Sequence, residues 1–178
     1  MILDRDGTVI VDRHHLTEVA GVALLPGAAA GISAMRALGL GVVVVTNQSV
    51  VGRGWLHGTG LDRIHRRMLD LLAAHSAYID GIYVCRHRPD EGCRCRKPGV
   101  GLVQAAARDL MFEPGEAFVV GDQACDVALG SRLGATTFMV RQPGEPIRCP
   151  RPGPDHVVDG LAQAARFMSR VVGGLGRP

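Results

Sequence analysis

Two carboxylates stand close together near the beginning of the chain. Asp4 and Asp6 follow a short apolar run at residues 1–3. Because alternate residues of an extended chain point the same way, both carboxylates can reach one site. One could attack phosphorus and form an acyl phosphate, while the other protonates the leaving oxygen and later activates water. An Asp-Gly turn at a strand end would explain the same residues, since Asp and Gly dominate turns.

A second polar group follows the apolar run Val42–Val45. Its members are Thr46, Asn47, Gln48 and Ser49. A hydroxyl and a following backbone amide at a strand end can hold phosphoryl oxygens. Polar residues after an apolar strand are commonplace. A phosphate-binding role for these four residues is therefore inferred only together with the other motifs.

Lys97 is the single lysine among 20 basic residues. An ammonium group is a compact point charge that can offset a nucleophilic carboxylate and a phosphate oxygen together. An ordinary surface charge is the alternative, since most lysines are exposed.

Asp122 closes another apolar strand and is the natural magnesium ligand. Mg²⁺ prefers oxygen ligands and keeps several waters, so Asp4, Asp122 and the backbone carbonyl of Asp6 suffice to hold it. Asp126 is interpreted either as a group behind these ligands or as a cap for the next helix. Cys125 is interpreted as a small buried hydrophobe.

Residues 85–95 contain the pattern of a zinc-binding loop. The four ligands are Cys85, His87, Cys93 and Cys95. Three thiolates and one imidazole form the closed set of a structural zinc, which argues against a catalytic zinc. Five cysteines is an odd number, which disfavours a disulfide framework. Such a site contributes on the order of 10 kcal/mol to folding. The zinc loop would hold Arg96 and Lys97 at the active-site pocket. The alternative is that it only stabilises the fold and has no influence on catalysis.

Alternating strands and helices must position these groups. Strands are predicted at 41–45, 79–84, 117–120 and 137–140, and helices at 27–38, 61–75 (capped by Thr59), 100–110, 126–133 and 161–171. The pattern predicts an α/β fold, a three-layer Rossmann-like parallel sheet with the active site at the carboxyl ends of the strands. The Pro- and Gly-rich segment from Arg141 to Asp155 is predicted to be an exposed loop.

Length and composition narrow the class of protein. With 178 residues and 47% hydrophobic content, the chain is expected to form a single domain over residues 1–178. Charge near the start and the lack of an apolar run of about 18 residues predict a cytoplasmic protein without a membrane partner. Basic residues bunch between Arg86 and Lys97, which favours an anionic ligand. Only 4% aromatic content disfavours nucleic acid. A small phosphorylated sugar substrate and a monomeric state are expected.

Taken together, the Asp-Arg-Asp-Gly-Thr segment at 4–8, Thr46-Asn47, Lys97 and the Gly121-Asp122…Asp126 segment resemble the four ordered motifs of the haloacid dehalogenase superfamily of phosphatases. Within it, the 46–54 and 85–98 segments resemble the zinc-containing group of heptose 1,7-bisphosphate 7-phosphatases. Histidinol-phosphate phosphatase domains share much of this pattern.

The resemblance implies a capless, magnesium-dependent enzyme with Asp4 as nucleophile and Asp6 as acid/base. Thr46 and Lys97 would stabilise the phosphoryl group, and Asp122 would complete the magnesium site. The implied substrate-binding residues are Asp12, Arg13, His14, His15, Asn47, Gln48, Ser49, Arg53 and Arg96. A bisphosphate would explain the surplus cations, with its second phosphate near Arg53 and Arg96.

Three alternatives remain open. A histidinol-phosphate or other small sugar-phosphate phosphatase would use the same residues on another leaving group. A receiver-like phosphoacceptor also combines a strand-end Asp, nearby acids, a Thr and a Lys. A catalytically silent zinc-stabilised binding module is the third.

Overall fold

A six-stranded parallel sheet forms the centre of the computed structural model, which describes residues 1–141 and 153–175. The strands are β1 (Ile2–Leu3), β2 (Val43–Asn47), β3 (Gly81–Cys85), β4 (Phe118–Gly121), β5 (Thr136–Val140) and β6 (His156–Val158). Their order across the sheet is β3-β2-β1-β4-β5-β6. The direction of winding reverses between β1 and β4, which is where ligands bind in open parallel sheets.

Helices cover both faces of the sheet. They are α1 (Ala28–Ala37), α2 (Ser49–Gly52), α3 (Gly58–Ala73), α4 (Gly101–Leu110), α5 (Ala124–Leu133) and α6 (Leu161–Leu175). Leu3, Val44 and Val120 pack into the larger buried cluster, with side chains of α1, α3 and α6. Their strand neighbours Ile2 and Val43 point the other way, into a second cluster with side chains of α4 and α5. The period-two alternation of the strands therefore produces the predicted three layers.

Most predicted elements form, with bounds shifted by a few residues. The predicted Thr59 cap is wrong, because α3 begins at Gly58 and His57 occupies the cap position without a side-chain cap bond. Helix α5 begins two residues earlier than predicted, at Ala124, because the Asp126 carboxylate accepts a hydrogen bond from the Gln123 amide at 3.1 Å and caps the first turn. Strand β6 was missed, since three residues carry too little pattern to stand out.

The predicted loop from Arg141 to Asp155 lies largely outside the described residues, which resume at 153. At its end, the Asp155 carboxylate accepts hydrogen bonds from the amide and the hydroxyl of Thr137, at 2.8 and 2.7 Å. These bonds tie the start of β6 to β5. Among the described helices, none combines the length and the apolar character that a bilayer crossing needs.

Candidate active site

The two carboxylates of the first motif lie at the carboxyl edge of the sheet. Strand β1 ends at Leu3, and the amide of Asp4 donates to the Val120 carbonyl of β4 at 2.9 Å. The Asp4 side chain is only 11% exposed. Although β1 has only two residues, it is paired with both β2 and β4. This pairing is sufficient to hold Asp4 at the place where the direction of winding reverses.

Lys97 lies between two carboxylates. Its Nζ is 2.7 Å from Oδ1 of Asp4 and 2.7 Å from Oδ1 of Asp126, and its side chain is 3% exposed. The Asn47 side chain brackets the Lys97 backbone, accepting from its amide at 2.9 Å and donating to its carbonyl at 3.2 Å. Asn47, which was predicted to bind substrate, thus positions the lysine.

Three carboxylates form a potential cation site beside Lys97. One oxygen each of Asp4, Asp122 and Asp126 lies within 4.8 Å of the others. Oδ1 of Asp122 is buried and, within the described residues, has no hydrogen-bond partner. Burying such an oxygen unsatisfied is costly, and a hard cation that prefers oxygen ligands would relieve the cost. The donor set therefore fits magnesium at Asp4 and Asp122, whereas both oxygens of Asp126 are already engaged, one by Lys97 and the other by the Gln123 amide.

Two glycines allow these carboxylates to approach the backbone. Gly7 has a φ of +71°, and a Cβ there would overlap the Asp122 carboxylate. A Cβ on Gly121 would likewise overlap the carboxyl group of Asp126. Glycine at 7 and 121 is therefore a packing requirement of the site as well as a turn signal.

Burial and charge shift the ionisation of these groups. Burial raises the pKa of Asp4 above its usual range, and the Lys97 ammonium opposes the rise. Burial raises the pKa of Asp122 to about 6, with a further contribution from Asp126. Burial alone would lower the pKa of Lys97, but Asp126 and Asp4 raise it above its usual value. The lysine therefore keeps its positive charge where an anionic phosphoryl group would arrive.

Asp6 is held by a buried arginine that the sequence reasoning did not single out. Arg5 is fully buried, and its guanidinium donates to both oxygens of the Asp6 carboxylate at 2.9–3.1 Å. Nε2 of Gln48 donates to Asp6 at 2.7 Å and to Oγ1 of Thr46 at 2.8 Å. Gln48, another predicted substrate-binding residue, thus links Asp6 to Thr46. This charge-assisted network fixes the direction of the Asp6 carboxylate.

His65 of α3 completes the network from behind. Its Nε2 lies 3.1 Å from Nη1 of Arg5, and the residue is 8% exposed. Burial and then the Arg5 cation lower the pKa of His65 to about 4. A neutral imidazole can accept a hydrogen bond from the guanidinium, so His65 helps to hold Arg5 in place.

A cavity of about 360 Å³ opens over Asp4, Asp6, Thr46, Lys97 and Asp122. The predicted substrate-binding residues that line it are Asp12, His14, His15, Asn47, Gln48, Ser49 and Arg96. In the described part of the chain, Arg13 and Arg53 are not among its lining residues. Arg53 instead lies over the ring of Trp55, with its Cζ 5.1 Å from the centroid.

Only part of the predicted basic cluster reaches this cavity. Arg96 and Lys97 line it, and Nη1 of Arg96 is buried without a hydrogen-bond partner in the described residues. Arg86 is instead paired with Asp62 at 3.6 Å, on the exposed surface. The unsatisfied Arg96 guanidinium is therefore the group most ready to receive an anionic part of a substrate.

A larger cavity, of about 850 Å³, lies at the opposite edge of the sheet. Its lining includes Val43, Phe112 and the exposed ion pair between Arg36 and Asp80. None of the grouped carboxylates of the described chain lies there, so the smaller cavity is the candidate site.

The four predicted zinc ligands come together at the end of β3 and in the loop that follows it. Their ligand atoms all lie within 4.8 Å of one another, with adjacent separations of 3.2–3.7 Å. A tetrahedral zinc with bonds of about 2.0–2.3 Å requires ligand separations of about 3.3–3.8 Å. The cluster therefore fits a structural zinc, and it lies directly before Arg96 and Lys97 in the chain.

Comparisons with known proteins agree with this geometry. A model of the HAD-hydrolase-like family matches residues 94–164. The D-glycero-beta-D-manno-heptose-1,7-bisphosphate 7-phosphatase of Haemophilus influenzae is 28% identical, over 96% of this chain and 97% of that protein. The D-glycero-alpha-D-manno-heptose-1,7-bisphosphate 7-phosphatase of Burkholderia mallei is 33% identical, over 79% of this chain and 78% of that protein.

A solved structure extends the likeness to the fold. The crystal structure of D,D-heptose 1,7-bisphosphate phosphatase from B. bronchiseptica, complexed with magnesium and phosphate, is 30% identical with a TM-score of 0.84. The match covers 96% of this chain and 98% of that chain. The chain therefore belongs to the HAD-like hydrolase family, among its phosphatases.

Proposed function

We propose that this protein removes the 7-phosphate of D-glycero-D-manno-heptose 1,7-bisphosphate through an aspartyl-phosphate intermediate. The observation that carries the proposal is the meeting of Asp4, Lys97 and Asp122 in a cavity that also contains the unsatisfied guanidinium of Arg96. Relatives that match most of the chain are named for this reaction. A receiver-like phosphoacceptor would leave Arg96, which lines the cavity and has a buried, unpaired Nη1, without a role.

The phosphoryl group would be held by the positive and polar groups of the cavity floor. Lys97 and the hydroxyl of Thr46 would bind its oxygens. Magnesium, held by Asp4, Asp122 and the backbone carbonyl of Asp6, would neutralise part of its charge when bound. Without these charges, an anionic nucleophile would be repelled by a phosphate dianion.

The first chemical step is attack of an Asp4 carboxylate oxygen on phosphorus. The bond from phosphorus to the C7 oxygen breaks, and protonated Asp6 donates its proton to that oxygen. Arg5 and Gln48 would keep Asp6 pointed at the leaving group. In the second step, Asp6 removes a proton from water, water oxygen attacks phosphorus, and the bond to Asp4 breaks to release inorganic phosphate.

The second phosphate of the substrate would bind toward Arg96. If so, R96A should raise KM for the bisphosphate about tenfold and change KM for p-nitrophenyl phosphate less than twofold. R94A is the matched control, because Arg94 is exposed in the same loop. Equal effects of R96A on both substrates would contradict this placement.

The proposed reaction is tested by phosphate release from a panel of substrates. The panel contains both anomers of the heptose bisphosphate, histidinol phosphate and fructose 1,6-bisphosphate. We expect the highest kcat/KM for one of the two heptose anomers, with sustained turnover. The Asp4→Asn variant should show no turnover. The relatives differ in the anomer that their names specify, so the anomer is an outcome of the assay. Preference for histidinol phosphate would support the second candidate, and a single phosphorylation event would support a phosphoacceptor.

The cellular location, domain organisation and oligomeric state of the enzyme are also proposals. A Cys₃His zinc cluster requires reduced thiols, which supports a cytoplasmic location. We further propose that residues 1–178 act as one domain and as a monomer, which light scattering after gel filtration would test.

A further inference from the structure

Trp55 is a large, 54% exposed side chain that contacts His15, a lining residue of the candidate active site. Two groups pack on its indole ring. The guanidinium of Arg53 lies over the ring, 5.1 Å from its centroid. The imidazole of His15 meets it nearly at right angles, with ring centroids 5.0 Å apart. One exposed indole therefore contacts both its near neighbour Arg53 and His15, which lies far from it in the sequence.

The Trp55 backbone is anchored to the cavity wall. Its amide donates to the carbonyl of Val50 at 2.9 Å, and Val50 is a buried lining residue of the cavity. His15 lines the same cavity, as does the buried Leu16 that follows it. Trp55 thus connects the segment 12–16 to the turn that follows α2.

Both partners of Trp55 keep hydrogen-bonding capacity for a ligand. A guanidinium that stacks on an aromatic face still has its N–H groups in the plane, pointing away from the ring. Within residues 1–141 and 153–175, the Arg53 side chain forms no ion pair and the His15 ring forms no hydrogen bond. Two side chains with unused hydrogen-bonding groups therefore pack on one indole beside the cavity.

We propose that Trp55 is a positioning residue that sets the preference of this enzyme for substrates with a second anionic group. It does so by holding Arg53 and His15 at the rim, so that they contact the end of the substrate distant from Asp4. Arg53 is kept outside the cavity floor, where it does not compete with Lys97 for the phosphoryl group that reacts. The assignment rests on the proposed function.

Substitution of Trp55 tests the assignment, because it should change KM for the heptose bisphosphate but not for p-nitrophenyl phosphate. W55A should raise KM for the heptose bisphosphate about fivefold, with kcat changed less than twofold, and leave both constants for p-nitrophenyl phosphate within twofold. W55F should recover at least half of the loss, because a ring remains. W55L, which is apolar but has no π face, should behave like W55A. Because Trp55 is half exposed, these variants are expected to fold.

The outcomes separate this assignment from the proposed function. Equal KM increases on both substrates, or a W55L variant that matches the unsubstituted enzyme, would overturn the role of Trp55 while leaving the reaction intact. An unsubstituted enzyme that does not prefer the bisphosphate would reject the proposed function, and the Trp55 assignment with it.

Fluorescence provides a second readout that does not depend on turnover. Trp55 is the single tryptophan of the chain, so its emission reports this cluster alone. Addition of the heptose bisphosphate to the Asp4→Asn variant should change the emission with a saturable dependence on concentration. Inorganic phosphate, which lacks a distal group, should produce a smaller change. Unchanged emission at bisphosphate concentrations that calorimetry shows to be saturating would overturn the assignment.

Discussion

The ammonium of Lys97 lies 2.7 Å from a carboxylate oxygen of Asp126, and both side chains are 3% exposed. Asp126 therefore has two roles in one side chain, because its other oxygen accepts a hydrogen bond from the Gln123 amide at 3.1 Å and caps α5. Of the two interpretations of Asp126 that the sequence left open, the helix cap is confirmed, and the role behind the magnesium ligands stays a prediction. Asp126 therefore ties Lys97 to the start of α5.

Asp126→Asn should separate these two roles. The asparagine oxygen can still cap α5, but the negative charge beside Lys97 is lost. We expect kcat to fall about 10–100-fold and the free energy of unfolding to fall by about 3 kcal/mol, as for other broken buried ion pairs. Steady-state kinetics and urea unfolding measure the two effects. Asp109→Asn, at an exposed site, is the control; a D126N enzyme with normal kcat would show that Lys97 does not need this partner.

Gly7→Ala should disable the metal site through steric overlap with Asp122. Gly39→Ala is a matched control, because Gly39 has a similar φ of +78° but nothing within 4 Å of its added Cβ. Both variants should lose about 1 kcal/mol of stability from left-handed backbone strain. Only G7A should lose magnesium affinity and at least about 100-fold in kcat, as measured by activity against magnesium concentration. Similar kinetics for the two variants would contradict the close approach of Gly7 and Asp122.

His65 should make the folded state sensitive to acid. Burial lowers its pKa to about 4 in the folded protein, against an ordinary value of 6.5. The neutral ring is favoured on folding, so its contribution is complete above pH 6.5 and is lost as pH falls toward 4. Between pH 7 and 5, the unsubstituted protein should lose about 2 kcal/mol more than His65→Gln. Urea unfolding at both pH values checks this, with the exposed His75→Gln as control; parallel losses in all three proteins would argue against it.

Cys93→Ser should abolish zinc binding and destabilise the loop before Lys97. We expect one zinc per chain in the unsubstituted protein and in Cys125→Ser, and none in C93S, by elemental analysis. Loss of several kcal/mol of metal-linked stability should lower Tm by about 10 °C or more. If the cluster also positions Arg96 and Lys97, C93S should lose activity at temperatures where it is still folded. Retained activity would identify the zinc as a structural staple only.

Sequence reasoning could predict those site residues whose chemistry and spacing are visible within one segment of the chain. The zinc ligands form a pattern within 85–95, and their convergence follows from a short loop. Asp4, Thr46 and Asp122 follow strands, and parallel strands bring their carboxyl ends to one edge. Lys97 stood out because it is the only lysine, although no strand precedes it.

Other site residues could not be found in this way. The guanidinium of Arg5 is buried against Asp6 and His65, yet arginine in a sequence ordinarily indicates an exposed charge. Alternation predicted that Asp4 and Asp6 reach one site, but it gave no partner for the residue between them. The polar residue His65 on the buried face of α3 was the one available signal.

The sequence alone therefore determined the class of fold, the order of the strand-end groups and the chemistry that they can perform, because strand periodicity and ligand types are properties of neighbouring residues. Only the tertiary structure decided which groups pair. The Lys97–Asp126 pair, the Gln48 bridge and the Trp55 cluster join residues from separate loops and helices. Their contacts depend on how whole elements pack against the sheet, and this packing leaves no pattern in any one segment of sequence.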